Sequence, residues 1–159
     1  MVKMRIDYRK LAISMVICLL AGAIGSIFTM PAIAGWYSTL SKPAWTPPNW
    51  AFGPVWTTLY ILMGISLYLI WNTRVRGVKT AMGIFAAQLV LNVLWSFLFF
   101  GLQSPLLGMI GIVALWIAIL ATIIVFYRIS RPAAYLLLPY IVWVTIASAL
   151  NYSVLVLNT

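Results

Sequence analysis

Long apolar runs dominate the chain, broken by short polar, basic or proline-rich segments. A helix needs about 20 mostly apolar residues to cross a bilayer. Five runs qualify, at 11–34, 55–71, 80–100, 106–127 and 133–157. The breaks carry turn chemistry: prolines after the first run, Arg74-Val75-Arg76-Gly77 after the second, Gly101 to Pro105 after the third, and Arg131-Pro132 after the fourth. Transmembrane strands would be about 10 residues long and alternate apolar with polar. These runs do neither. The pattern predicts an all-α membrane protein, a single five-helix transmembrane domain over residues 1–159 with a loop at 36–54.

Helical periodicity then sorts the faces. At about 100° per residue, Trp56, Tyr60, Met63 and Leu67 share a narrow arc of the second span. Gln88, Asn92, Trp95 and Phe99 do so on the third, and Trp143, Ala147 and Asn151 on the fifth. An amide facing lipid would go unsatisfied, so Gln88, Asn92 and Asn151 are expected to point into the bundle. Periodicity leaves open whether these stripes are interhelical packing or the walls of a ligand pocket. Small-residue pairs, Gly22-x-x-x-Ser26 and Gly83-x-x-x-Ala87, allow helices to approach closely, within the bundle or between two copies of it.

Composition narrows the chemistry. Apolar residues make up 65% and charged residues 7% of the 159 positions. A soluble domain has about 45–50% and about 25%. There is no His, one acidic residue (Asp7) and one Cys (Cys18). That excludes a carboxylate pair, a Ser-His-Asp triad, a His/Cys zinc site and an intrachain disulfide. No metal site is expected. Iron ligation would fall to Met, Tyr or Cys18, none obviously poised.

The net charge of +9 raises nucleic acid as a partner, but the placement of the basic residues argues against it. Lys3, Arg5, Arg9 and Lys10 precede the first span. Arg74, Arg76 and Lys79 follow the second, and Arg128 and Arg131 follow the fourth. Only Lys42 lies on the other side. The positive-inside rule then puts the N-terminus in the cytoplasm, with the 36–54 loop and the C-terminus on the opposite side. Contact with anionic lipid is a secondary expectation. Ala32-Ile33-Ala34 has the small-residue pattern of a signal-peptidase site. The apolar stretch before it exceeds the usual 7–15 residue signal core, so the first span is expected to be retained.

The loop 36–54 reads WYSTLSKPAWTPPNWAFGP. Its prolines fix φ and bias the preceding residues to extended conformations. It is therefore expected to be stiff and largely non-helical, either as an aromatic belt at the interface or as a lid over the bundle mouth. Trp36-Tyr37-x-x-Leu40-x-Lys42-Pro43-x-Trp45-x-Pro47-Pro48, followed by Phe52-Gly53-Pro54-Val55-Trp56-x-x-Leu59-Tyr60, resembles the signature of the translocator protein or tryptophan-rich sensory protein family (TspO/MBR). Gln88-Leu89-x-x-Asn92, Pro139-Tyr140-x-x-Trp143 and Leu150-Asn151-Tyr152 extend the resemblance along the whole chain.

The resemblance implies a five-helix bundle, often dimeric, with the first loop capping a pocket for porphyrins and related lipophilic ligands. It places Trp56 and Trp143 on opposite pocket walls, with Tyr60, Asn92, Trp95, Ala147 and Asn151 inside. Trp36, Tyr37, Pro43 and Trp45 would close the top. Lys42, the one cation on that side, is the natural partner for porphyrin propionates. Three functions follow as expectations. The first is a sensor, scavenger or regulator that binds protoporphyrin IX or haem as ligand, with no obligatory cofactor. The second is a photoenzyme that degrades porphyrin in light, with Trp56 and Trp143 supplying or quenching radicals. The third is a transporter, which the lack of inverted repeats and of intramembrane charge disfavours. High-affinity cholesterol binding is not expected, because no basic residue follows Tyr152 and Leu155 stands where many animal relatives carry Trp.

Overall fold

The computed structural model describes residues 5–159; the basic Lys3 lies outside them. Apart from its connections the described chain is helical, in the order α1 (Tyr8–Ala34), α2 (Trp36–Thr39), α3 (Asn49–Trp71), α4 (Val78–Ser96), α5 (Pro105–Ile129), α6 (Arg131–Tyr135) and α7 (Leu138–Leu157). A π turn at Phe97–Gly101 extends α4. Five of these units are long and apolar enough to span a membrane. The protein is a multi-pass membrane bundle.

Local chemistry sets the boundaries. Asp7 caps α1 by accepting from the Lys10 amide at 3.1 Å. Ser104 caps α5 by accepting from Leu107 at 3.2 Å, with Pro105 at the first turn, where its missing N–H costs nothing. The helices therefore begin earlier than the apolar runs: at 8 rather than 11, 49 rather than 55, 78 rather than 80, 105 rather than 106 and 131 rather than 133. Hydropathy marks the lipid-buried stretch, while side-chain caps at Asp7, Ser104 and Ser130 start three of the five spanning helices before it.

The largest correction falls on the 36–54 loop. Trp36–Thr39 is a helical turn and α3 already includes Asn49 to Pro54, so the non-helical connection is only Leu40–Pro48. Pro48 is extended (φ −64°, ψ 147°) and starts α3, while Pro54 sits inside it. The last span is also interrupted. Leu136 and Leu137 break it into α6 and α7, with Pro139 in the first turn of α7.

The packing order places α1 between α3 and α4, and α5 between α4 and α7. At the end carrying Arg74 and Arg131, α6 closes the ring onto α3 through Ser66 Oγ, which donates to the Ala133 carbonyl at 2.7 Å. Towards the loop end α7 and α3 hardly meet, and side-chain rings fill the space between them.

Candidate functional site: a cleft walled by aromatic rings

Between the loop-side halves of α1 and α3 lies a cleft of about 490 Å³. Small-molecule sites run from roughly 300 to 1,000 Å³. Two close approaches explain where it starts. A Cβ added at Gly64 would lie 2.6 Å from Met15 Sδ, and one added at Gly22 would lie 2.6 Å from the Tyr60 ring. The helices can touch there only because both positions lack side chains. Beyond Gly22 the walls are Ser26, Thr29 and Met30 on α1, and Trp50, Phe52 and Thr57 on α3.

The back of the cleft is aromatic. Trp56 stacks on Tyr60 at 5.8 Å between ring centroids and lies 6.3 Å from Trp95. Trp95 stacks on Phe99 at 5.8 Å and meets Phe100 edge-on at 5.9 Å. Stacked and edge-to-face pairs contribute about 0.5–1.5 kcal/mol beyond their buried area. The π turn at Phe97–Gly101 turns Phe99 and Phe100 inward together.

Behind this wall runs a hydrogen-bonded chain of four side chains. Tyr60 donates its hydroxyl proton to Asn92 Oδ1. Asn92 Nδ2 donates to the Tyr140 hydroxyl at 2.8 Å, and Tyr140 donates to Gln88 Oε1 at 2.8 Å. Gln88 Nε2 points at Met63 Sδ, 3.9 Å away. Asn151 accepts from Trp95 Nε1 at 3.2 Å and donates to the Pro105 carbonyl at 2.8 Å. Every amide placed inward by periodicity is therefore buried and used between helices.

The structure brings some sequence candidates to the cleft and not others. Trp56, Tyr60 and Trp95 line it. Asn92 and Asn151 sit one layer behind, and Ala147 packs half-buried against the core. Trp143 lies on the far side of Phe52, 5.9 Å away edge-on, and borders a shallower groove of about 410 Å³ between α3 and α7. Its buried Nε1 has no hydrogen-bond partner.

Trp36 and Tyr37 pack on Phe99 and Phe100. Burial pushes the Tyr37 phenol above its ordinary pKa. Lys42 turns its ammonium into the connection itself. It donates to the Tyr37 and Leu40 carbonyls at 2.8 and 2.9 Å and lies 4.8 Å from the Tyr37 ring centroid. Pro43 accepts from Thr46 at 3.1 Å in a tight turn, and Trp45 is half-exposed. From the 36–54 segment, it is the helical part, Asn49 to Gly53, that borders the cleft.

Sequence reasoning missed the α1 wall. Gly22 and Ser26 stood out, but as a helix-packing pair, and Thr29 gave no signal. Cys18 is buried, and no cluster of metal-ligating residues exists among the described residues.

Comparison with known proteins agrees with this architecture. The TspO/MBR family profile matches residues 14–157. The tryptophan-rich protein TspO of Chlorobaculum tepidum is 47% identical over 150 residues, 93% of this chain and 95% of its own. The Archaeoglobus fulgidus protein of the same name is 48% identical, covering 94% and 97%. The human translocator protein is 37% identical, covering 82% and 79%. With five spanning helices, the tryptophan-rich first connection and matches at this level along its length, the chain belongs to the TspO/MBR family.

Proposed function

We propose that the protein binds a flat conjugated ligand of the porphyrin class, protoporphyrin IX or haem, in the cleft between α1 and α3. In this reading it acts as a sensor, scavenger or regulator. The observation that carries it is the ring wall Tyr60–Trp56–Trp95 beside a cleft of about 490 Å³. Such a wall offers π-faces to a π-ligand with no rearrangement of the backbone. The ligand's carboxylates are best met at the mouth, by the Asn49 amide and the Trp50 indole. The test is a protoporphyrin IX titration followed by tryptophan fluorescence, with Trp56→Phe and Trp143→Phe in parallel. Saturable quenching that weakens in Trp56→Phe supports the cleft. Linear quenching equal in all three proteins means partition into micelles and sinks it.

One observation favours a photochemical second reading. Trp56 lies within 6.3 Å of Trp95, Tyr60 and Tyr140, which forms a connected set of indoles and phenols able to supply or quench radicals beside an excited ligand. Loss of the porphyrin spectrum in light, absent in the dark and dependent on Trp56 and Trp143, would favour it over binding alone. The basic ends of the helices support a cytoplasmic N-terminus, with the Leu40–Pro48 connection and the C-terminus opposite. Gly83 has open space around its Cα, which suits a homodimer formed through α4.

A further inference from the structure

The basic residues at the bundle end away from the cleft are not alike. Lys10 donates to the Trp71 carbonyl at 3.4 Å and lies 5.8 Å from that ring's centroid, so its ammonium is engaged between α1 and α3. Arg74 and Arg76 stand exposed in the turn before α4. Arg131 differs from both. Its guanidinium lies 5.4 Å from the Tyr127 ring centroid, and Tyr127 meets Tyr135 edge-on at 6.0 Å. Among the described residues it is the one arginine held against a ring.

The break in the last span builds this corner. Ser130 ends α5 and caps α6. The short α6 buries Ala133 and Ala134, which turns Arg131 and Tyr135, four residues apart, outwards together. Tyr127 and Arg128, in the last turn of α5, are exposed as well.

The corner has no counter-charge of its own. Asp7 is the one acidic residue of the chain, and its carboxylate caps α1 by accepting from the Lys10 amide. No protein oxygen takes an Arg131 N–H among the described residues, so a planar fork of donors stays available. The Tyr127 ring holds that fork in place beforehand, so less freedom is lost on binding than for a loose arginine. Phenols at a helix end sit at headgroup depth.

We propose that Tyr127, Arg128, Arg131 and Tyr135 form a headgroup site for an anionic phospholipid, with Arg131 gripping the phosphodiester. The partner is a lipid of the surrounding leaflet, because the corner joins two spanning helices at the level where headgroups stand. Net charge decides among lipids: a zwitterionic headgroup brings its own cation to face Arg128 and Arg131. The site is independent of whatever occupies the cleft.

The test is native mass spectrometry of the purified full-length protein in neutral detergent, with added dioleoylphosphatidylglycerol or dioleoylphosphatidylcholine. Phosphatidylglycerol is expected to bind about fivefold tighter, and excess inorganic phosphate should not displace it. Arg131→Gln should weaken it about fivefold. Arg74→Gln removes the same charge from the same end and should stay within about twofold. Tyr127→Leu should weaken it about two- to fivefold, while Tyr127→Phe keeps the ring and stays within about twofold. Equal binding of the two lipids in the unaltered protein overturns the proposal whether or not any variant folds. So does displacement by phosphate, which marks a free-anion site. Equal losses in Arg131→Gln and Arg74→Gln leave only the diffuse field of the basic end and overturn it too, as does full affinity in Tyr127→Leu.

Discussion

The interior shared by α3, α4 and α7 and the cleft between α1 and α3 both combine aromatic rings with polar side chains but are finished differently. In the interior, Tyr60, Asn92, Tyr140 and Gln88 satisfy one another across three helices. In the cleft, Ser26, Thr29 and Thr57 satisfy their protons on their own helices. The first arrangement ties helices together and leaves no room. The second leaves space because no side chain has to cross it. In this bundle the amides and phenols of the interior act as glue between helices, and the hydroxyls of the cleft line it.

The contrast predicts unequal costs of substitution. Asn92→Leu strands the Tyr60 hydroxyl in the core, leaves Tyr140 bonded only to Gln88, and should destabilise the bundle by about 2 kcal/mol, read as a lowered midpoint of thermal unfolding in detergent. Ser26→Ala leaves nothing stranded and should stay within about 0.5 kcal/mol. Equal effects would erase the distinction between the two regions.

Gly22→Ala stands between the regions. Its added Cβ meets the Tyr60 ring at 2.6 Å, backed by α4. Overpacking of this kind costs about 1–3 kcal/mol. The variant should also lower porphyrin affinity, because the stacked Trp56 must move with Tyr60. Unchanged affinity in a folded Gly22→Ala protein would detach the ring wall from the site.

Lys42 gives a smaller effect with a sharper sign. Its ammonium is spent on the Tyr37 and Leu40 carbonyls. Lys42→Ala should therefore weaken neutral and anionic aromatic ligands by the same factor, through a looser connection. A loss confined to porphyrins with free propionates would return Lys42 to the role of carboxylate partner. Gly83→Leu should leave thermal stability unchanged and reduce the cross-linked dimer fraction. An unchanged fraction would move the interface off α4.

Much of this was legible in the sequence, for physical reasons. Hydrocarbon thickness fixes span length, so five runs yielded five spanning helices. The cost of an unsatisfied amide fixed the inward faces of Gln88, Asn92 and Asn151. The cleft was only half legible. Trp56, Tyr60 and Trp95 announced an aromatic face, but which helix stands opposite is a matter of packing. That choice depends on Gly22 and Gly64 admitting Tyr60 and Met15, and the sequence shows the glycines without their partners. The loop read as non-helical from its prolines. Yet Pro48 ends the extended stretch and α3 absorbs Pro54, so two rings of the expected loop, Trp50 and Phe52, stand on a helix instead.

The central claim is that the ligand occupies the α1–α3 cleft and not the groove beside Trp143. Narrowing each in turn tests it most directly. Ser26 lies on the exposed lip of the cleft, and Thr58 on the exposed face of the groove. Protoporphyrin IX affinity should fall at least about tenfold in Ser26→Phe, the loss of well over 1 kcal/mol of contact, and stay unchanged in Thr58→Phe. The opposite pattern would place the ligand between α3 and α7 and contradict the account.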